Sequence, residues 1–313
     1  MASQTTYSFA TLDVFTTDPF SGNPLAIVQI PAHPPLSQEQ KHLISREFNL
    51  SETVFLHEAE PDSSGHKIDI FTTTAELPFA GHPTIGSICY VLGDQQCSTG
   101  EKLSTTLITK AGSIAVTYDS KSRIAEADIP HNVHIHGENV SKETIKEIQR
   151  DVIPPKVEQD MDARFPIVSI VKGMTFALVK LPSVDALQLL RTGGGALRPK
   201  VDEEWASGFV APYFYVVLGS NTDGTVRMRT RMIEPGCGED PATGSAACTL
   251  ASFLALQAGG ASKVFSYSIE QGVEMGRRSV IGVKVTLDAT GKAVGEVVLS
   301  GSAVPVMKGT LSA

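Results

Sequence analysis

Two short patterns recur about half a length apart in this chain, and they constrain its fold more than any other feature. Gly22-Asn23-Pro24-Leu25-Ala26-Ile27-Val28 and Gly173-Met174-Thr175-Phe176-Ala177-Leu178-Val179 share the form Gly-x-x-apolar-Ala-apolar-Val, 151 positions apart. Three residues after each closing valine stands a proline, Pro31 or Pro182, and then a helix signal. Further on, His82-Pro83-Thr84-Ile85-Gly86-Ser87 aligns with Asp240-Pro241-Ala242-Thr243-Gly244-Ser245 at a separation of 158. Both follow a strand signal and both open an apolar helix. Two matches in the same order, each offset near half of the 313 residues, imply two structurally equivalent halves. The expected division is 1–129 for the first half, with 302–313 a candidate to return to it, and 130–301 for the second, connecting segment included.

The later of these loops runs into Thr243–Leu256, where small and apolar residues surround the whole helical circumference. A helix apolar all round is a buried helix. Its first backbone N–H groups have no partner within the helix, and with the dipole they make an anion site. Phe79–Leu92 resembles it. If each half wraps a sheet around such a helix, the two N-termini can face one another across a cleft and share a carboxylate. His82 and Asp240 would then flank one ligand from opposite sides, a geometry suited to moving a proton between faces of a carbon.

Around these features the chain reads as short strands with few helices. Strands are expected at Ser8–Phe15, Leu25–Ile30, Ser51–Leu56, Lys67–Thr73, over three short runs within 103–129, at Ile167–Leu181 and through most of 213–308. Ser37–Phe48 reads as a helix capped by Ser37, with Leu43, Ile44 and Phe48 on one face, and Val184–Leu190 as another. Pro130–Asp162 is polar and reads as connecting structure, and Thr192–Leu197 as a flexible glycine-rich loop without the lysine of a phosphate loop. Arg227, Arg229 and Arg231 alternate with Met228, Thr230 and Met232, which predicts a solvated basic face. The class is α+β.

A net charge of −8 and a pI near 5.5 argue against nucleic acid or an anionic membrane as partner. No secretory signal is visible and no run approaches the roughly 20 apolar residues of a membrane span, so a cytoplasmic location is expected. Cys89, Cys97, Cys237 and Cys248 show no paired spacing and are expected to be reduced. No cluster of His, Cys and carboxylates has metal-ligand spacing and no nucleotide fingerprint occurs, so neither metal nor cofactor is expected.

Four motifs carry a resemblance: Asp13-Val14-Phe15-Thr16 with Pro19-Phe20-Ser21-Gly22-Asn23-Pro24; Asn49-Leu50-Ser51-Glu52-Thr53; Pro78-Phe79-Ala80-Gly81-His82-Pro83-Thr84; and Glu239-Asp240-Pro241-Ala242-Thr243-Gly244-Ser245-Ala246. In this order they resemble the PhzF-like family of phenazine biosynthesis, and Glu270-Gln271-Gly272 with Gly276-Arg277 looks like that family's tail segment. The resemblance implies the diaminopimelate epimerase fold: two pseudo-symmetric halves, each a curved, mostly antiparallel, barrel-like sheet around a central apolar helix, with the active site between them. It also implies cofactor-independent isomerisation, in which a glutamate shuttles a proton with help from a histidine, an aspartate and a serine. Those residues look like Glu52, His82, Asp240 and Ser245, and Gly81 and Gly244 would supply backbone N–H groups.

The expected roles are therefore catalytic for Glu52, His82 and Asp240, and substrate-binding for Gly81, Thr243, Gly244 and Ser245. Strand alternation puts Glu52 on the face of Val54 and Leu56, where desolvation would raise its pKa into the range of a two-way proton carrier. A two-thiol racemase mechanism is disfavoured, because the first loop carries Ala80 where a thiol would be needed, and Cys89 and Cys248 fall within apolar helices. The expected partner is a small carboxylate-bearing substrate, with a second copy of the chain forming a homodimer. Two alternatives stay open: a binding protein on this fold that has lost catalysis, and another acid/base reaction, elimination or cyclisation, at the same site.

Overall fold

The computed structural model describes residues 5–59, 65–93, 102–150, 152–206, 209–234 and 238–313. Cys97 and Cys237 lie outside these. The chain folds into two compact units, Met1–Asp128 with Ser300–Ala313, and Ile129–Leu299.

The first unit contains β1 (Thr6–Val14), β2 (Asn23–Ile30), α1 (Gln38–Phe48), β3 (Thr53–His57), β4 (Gly65–Phe71), β5 (Glu76–Leu77), α2 (Gly81–Gly93), β6 (Lys102–Thr109), β7 (Gly112–Asp119), β8 (Ile124–Asp128) and the chain's last strand, β18 (Ala303–Ser312). β18, β1 and β2 pair antiparallel, β2 and β3 parallel, β3 and β4 antiparallel, β4 and β6 parallel, and β6, β7 and β8 antiparallel. The parallel step from β2 to β3 needs a crossover, and α1 supplies it. Ser37 starts that helix through a capping box with Gln40, and Asn49, left-handed at φ 50°, ends it. The face of α1 differs from expectation: Ile44 is buried against Tyr7, Val28, Phe55 and Phe71, whereas Leu43 is 56% exposed. Lys41 is also buried there, its ammonium 2.5 Å from Asp69 of β4.

α2 starts at Gly81, so the helix takes in Gly81 and His82. Residues 81–89 and Leu92 are all buried, and the helix touches β1, β2, β3, β6, β7, β8 and β18. A strand such as β2, covered on both faces, accordingly reads as a continuous apolar run, Leu25–Val28, rather than an alternating one. At Gly86 the helix lies close against that layer: a Cβ there would stand 2.4 Å from Leu25 Cδ2 and 2.9 Å from Val14 Cγ2.

The second unit contains β9 (His134–Ser141), α3 (Lys142–Ile148), α4 (Pro155–Gln159), β10 (Arg164–Val171), β11 (Met174–Lys180), α5 (Val184–Leu189), β12 (Phe209–Ser220), β13 (Val226–Glu234), β14 (Gly238–Asp240), α6 (Gly244–Ala258), β15 (Val264–Gln271), β16 (Ser279–Leu287) and all but the last two residues of β17 (Val294–Gly301). The polar segment 130–162 is therefore not mere connecting structure: β9 pairs antiparallel with β10 and joins the sheet. Pairing continues antiparallel from β10 to β11, parallel to β12, antiparallel to β13, parallel to β15 and antiparallel to β16. Phe165, Ile167, Val179 and Phe214 form a core with Ile145 and Ile148 of α3 and Ala186 and Leu187 of α5. α6 contacts β10, β11, β15 and β16, with Ala246, Ala247, Cys248, Leu250 and Ala251 all fully buried. No helix among the described residues is long and apolar enough to cross a membrane.

Candidate active site

Glu52 stands at the entry to β3, three residues after the left-handed Asn49 that stops α1, and His82 is the second residue of α2. The fold brings these two together in the first unit. His82 Nδ1 lies 3.2 Å from Glu52 Oε2, with the imidazole 4% exposed and the glutamate side chain 18%. The contact is ionic in range but outside hydrogen-bond alignment, because Oε2 has no hydrogen-bond partner among the described residues. His82 Nε2 is likewise buried and unpartnered. Two orphaned buried polar atoms on two contacting side chains are costly in a folded protein and mark a place built for something other than packing.

The acidity of Glu52 departs from expectation. Burial does push its pKa up, but the charge and contact of the His82 imidazole and the Ser51 hydroxyl outweigh it, and the carboxyl is held below its ordinary value. Strand alternation shows the apolar neighbours of Glu52 and cannot show His82, which arrives from another element. No acidic side chain occupies the first turn of α2, so its N-terminal dipole is answered by none of its own residues.

In the second unit Asp240, Thr243, Gly244 and Ser245 surround the start of α6. Thr243 sits at the N-cap position, yet its hydroxyl does not cap the helix; it donates to Asp240 Oδ2 at 2.6 Å. With no acidic residue in that first turn either, the opening N–H groups of α6 lack a side-chain acceptor from the helix's own first turn. Gly244 is buried at the first helical position and Ser245, half-buried, follows it. A carboxylate placed against such an end gains both the N–H donors and the dipole.

Sequence reasoning missed the residues that fix this loop. Gln271, fully buried at the end of β15, donates from Nε2 to the Asp240 carbonyl at 2.8 Å and to Thr243 Oγ1 at 2.9 Å. Its Oε1 accepts from the Tyr213 hydroxyl at 2.9 Å, which sets the orientation of the amide. Burial pushes the Tyr213 phenol far up, so it acts as a neutral donor. Next to Gln271, Gly272 at φ +72° has room for no Cβ: one would stand 2.7 Å from the Pro241 carbonyl. An amide in the apolar alternation Tyr267–Ile269–Gln271 was the available signal.

The expected solvated arginine face holds at Arg227, which is exposed, and fails at Arg229 and Arg231. Arg231 is 5% exposed and grips both carboxylate oxygens of Glu239, at 2.8 and 2.7 Å, while its Nη1 donates to the carbonyls of Leu187 and Leu190 at the end of α5. Arg229 pairs with Glu274 at 2.8 Å. Alternation assigns a face but does not say what covers it, and here α5 and β14 do.

The chain is similar to known proteins over nearly its whole length. Residues 12–309 match the model of the PhzC-PhzF family, described as phenazine biosynthesis-like protein. The chain belongs to that family. A protein of Mesorhizobium japonicum named as an uncharacterized isomerase is 32% identical, covering 98% of this chain and 99% of its own. The trans-2,3-dihydro-3-hydroxyanthranilate isomerase of Pseudomonas fluorescens is also 32% identical, over 97% of this chain and 99% of its own. Among solved structures, the PhzF-family phenazine biosynthesis protein of Bacillus anthracis superposes with a TM-score of 0.75 at 21% identity, covering 98% of this chain and 99% of that one. The chain is an enzyme of this isomerase family with a mixed fold of many strands and few helices.

Proposed function

We propose that this isomerase moves a proton between carbon atoms of a small carboxylate-bearing substrate without a cofactor, with Glu52 as the general acid/base. The observation that carries the reading is the buried Glu52–His82 contact, with one oxygen and one nitrogen left without partners. The lowered pKa of Glu52 supports an ionised carboxylate as the resting state. An ionised carboxylate first takes a proton from a carbon acid. The protonated form forfeits its attraction to the His82 imidazole and is therefore the stronger acid, ready to return the proton to a second carbon of the same molecule. His82 sets that balance and relays or orients.

The backbone N–H groups that open the buried helices, at Gly81 in the first unit and at Gly244 with Ser245 in the second, are each suited to hold a carboxylate, with Asp240 and Thr243 shaping the second end. The reading of two equivalent halves draws support from the strand pairings, which run in the same order of parallel and antiparallel steps in both units. The relatives named as trans-2,3-dihydro-3-hydroxyanthranilate isomerase make that cyclic amino acid the first probe to use.

The test is turnover of this compound in D2O, followed by NMR for deuterium incorporation and product, alongside a panel of cyclic and amino-acid carboxylates. Glu52→Gln should lose about 10²–10⁴ in rate, the usual worth of one positioned acid/base, with its melting temperature kept near wild type. Deuterium exchange persisting undiminished in Glu52→Gln would remove Glu52 from the role of shuttle.

A further inference from the structure

Outside the site described above, one group of ligand-type side chains converges in the second unit. His134 and His136 stand two apart on β9 and so share a face of the strand. Asp202 arrives from 68 residues away, at the N-cap of the short 3-10 turn Glu203–Trp205. An aspartate there ordinarily caps its own turn, but this one makes no such bond. Its Oδ2 instead lies 2.7 Å from His134 Nε2 and 3.6 Å from His136 Nδ1. One ligand atom from each of the three residues falls within 4.8 Å of the others, the only such group of three among the described residues.

We propose that His134, His136 and Asp202 form a binding site for a divalent transition metal of the zinc type, which clips the 202–205 turn to β9. Two imidazoles and a carboxylate are a donor set that suits such an ion, with the fourth position left to water. Metal–ligand bonds of about 2.0–2.2 Å in a tetrahedron put ligand atoms on the order of 3.3 Å apart. The present separations bracket that spacing, so side-chain adjustment alone can close the site.

The hydrogen bonds around His136 set the required tautomer. Its Nδ1 accepts the Asp202 backbone N–H at 3.2 Å, so Nδ1 carries the lone pair and Nε2 the proton. Nε2 then donates to the buried Ser169 hydroxyl at 2.9 Å, and Ser169 bonds Thr175 at 2.6 Å. A ligating histidine whose other nitrogen is fixed by an outer partner is the arrangement that metal sites use. The metal displaces the long 3.2 Å contact at Nδ1. At His134 the ring proton moves from Nε2 to Nδ1, which frees Nε2 without changing the charge. Lys172, with its ammonium 5.7 Å from the Trp205 ring centroid, places a positive charge nearby, so the affinity is moderate.

The molecule carries its own reporter. Trp205 is the sole tryptophan and stacks on His134 with ring centroids 4.6 Å apart and planes 7° from parallel. Full-length untagged protein is titrated with Co2+, reading Trp205 emission and visible absorption, then back-titrated with Zn2+. The expected result is saturable quenching at one equivalent, a tetrahedral cobalt spectrum, and release of both by Zn2+. His134→Gln and Asp202→Asn, at half-buried positions and with the fold checked by circular dichroism, should each weaken binding at least about tenfold. Ser169→Ala should weaken it by about 10–100-fold, the usual effect of losing an outer partner. His131→Ala, outside the trio, should bind as wild type. No saturable response below millimolar Co2+, or equal affinity in His134→Gln and wild type, would overturn the site and leave the trio as a hydrogen-bonded staple.

Discussion

Replacing Arg231 by methionine tests how the Asp240 loop is held. The guanidinium makes two bonds to Glu239 and two to the carbonyls that end α5, with both side chains almost fully buried, at 6% and 5% exposure. Removing one partner of a buried pair strands the other charge, at a cost of about 3–5 kcal/mol. Arg231→Met should therefore lose about 4 kcal/mol, since Glu239 keeps its burial and the Leu187 and Leu190 carbonyls lose a donor. Replacing the pair by apolar side chains is often close to neutral, so Arg231→Met/Glu239→Leu should recover about 2–3 kcal/mol of that loss. The assay is urea unfolding followed by Trp205 emission, which reports on the unit that contains the pair. A loss below about 1 kcal/mol in the single variant, or a double variant no more stable than the single, would show that the pair is not the clamp described. Glu239 adjoins Asp240, so the single variant should also lower turnover in the deuterium assay.

Two further outcomes follow from the first unit. The Asp69 carboxyl is pushed up by burial but pulled down harder by His57 and Lys41, to about 2 from 3.8. A depressed folded pKa contributes stability above the unfolded value that is lost as pH falls through the folded one. Asp69→Asn should therefore be less stable than wild type by about 1–2 kcal/mol at pH 6, after allowing for the solvent that reaches the cluster, and the gap should close between pH 4 and pH 2. A gap constant across that range in thermal melts would refute the pairing. Gly86→Ala sets two effects against each other: alanine favours the helix by about 1 kcal/mol, but its methyl would meet Leu25 and Val14 inside contact distance. Overpacking at about 1–3 kcal/mol should win, and stabilisation in chemical denaturation would show that the layer has room.

Much of the fold was legible because its signals are local. Ser37 and Gln40 spell a cap within four residues, and Phe79–Leu92 and Thr243–Leu256 show buried helices by having no polar face. Glu52, His82 and Asp240 could be named from the motifs around them. The misreadings share a cause. The polar stretch 130–162 has too little apolar pattern to announce β9, which is a strand because β10 pairs with it. Arg231 alternates like a solvated residue, but α5 and β14 close over it.

By itself the sequence determined the kinds of element, the recurrence of two patterns and the residue types able to carry acid/base chemistry, since these depend on neighbours a few positions apart. Only the tertiary structure decided how those residues behave. It set His82 at 3.2 Å from Glu52, so that the carboxyl is more acidic than its apolar strand implies. It turned Thr243 from capping its helix to holding Asp240, and brought Asp202 across 68 residues to His134. Charge, burial and hydrogen bonding act through space, and the distances that govern them exist only once the chain has folded.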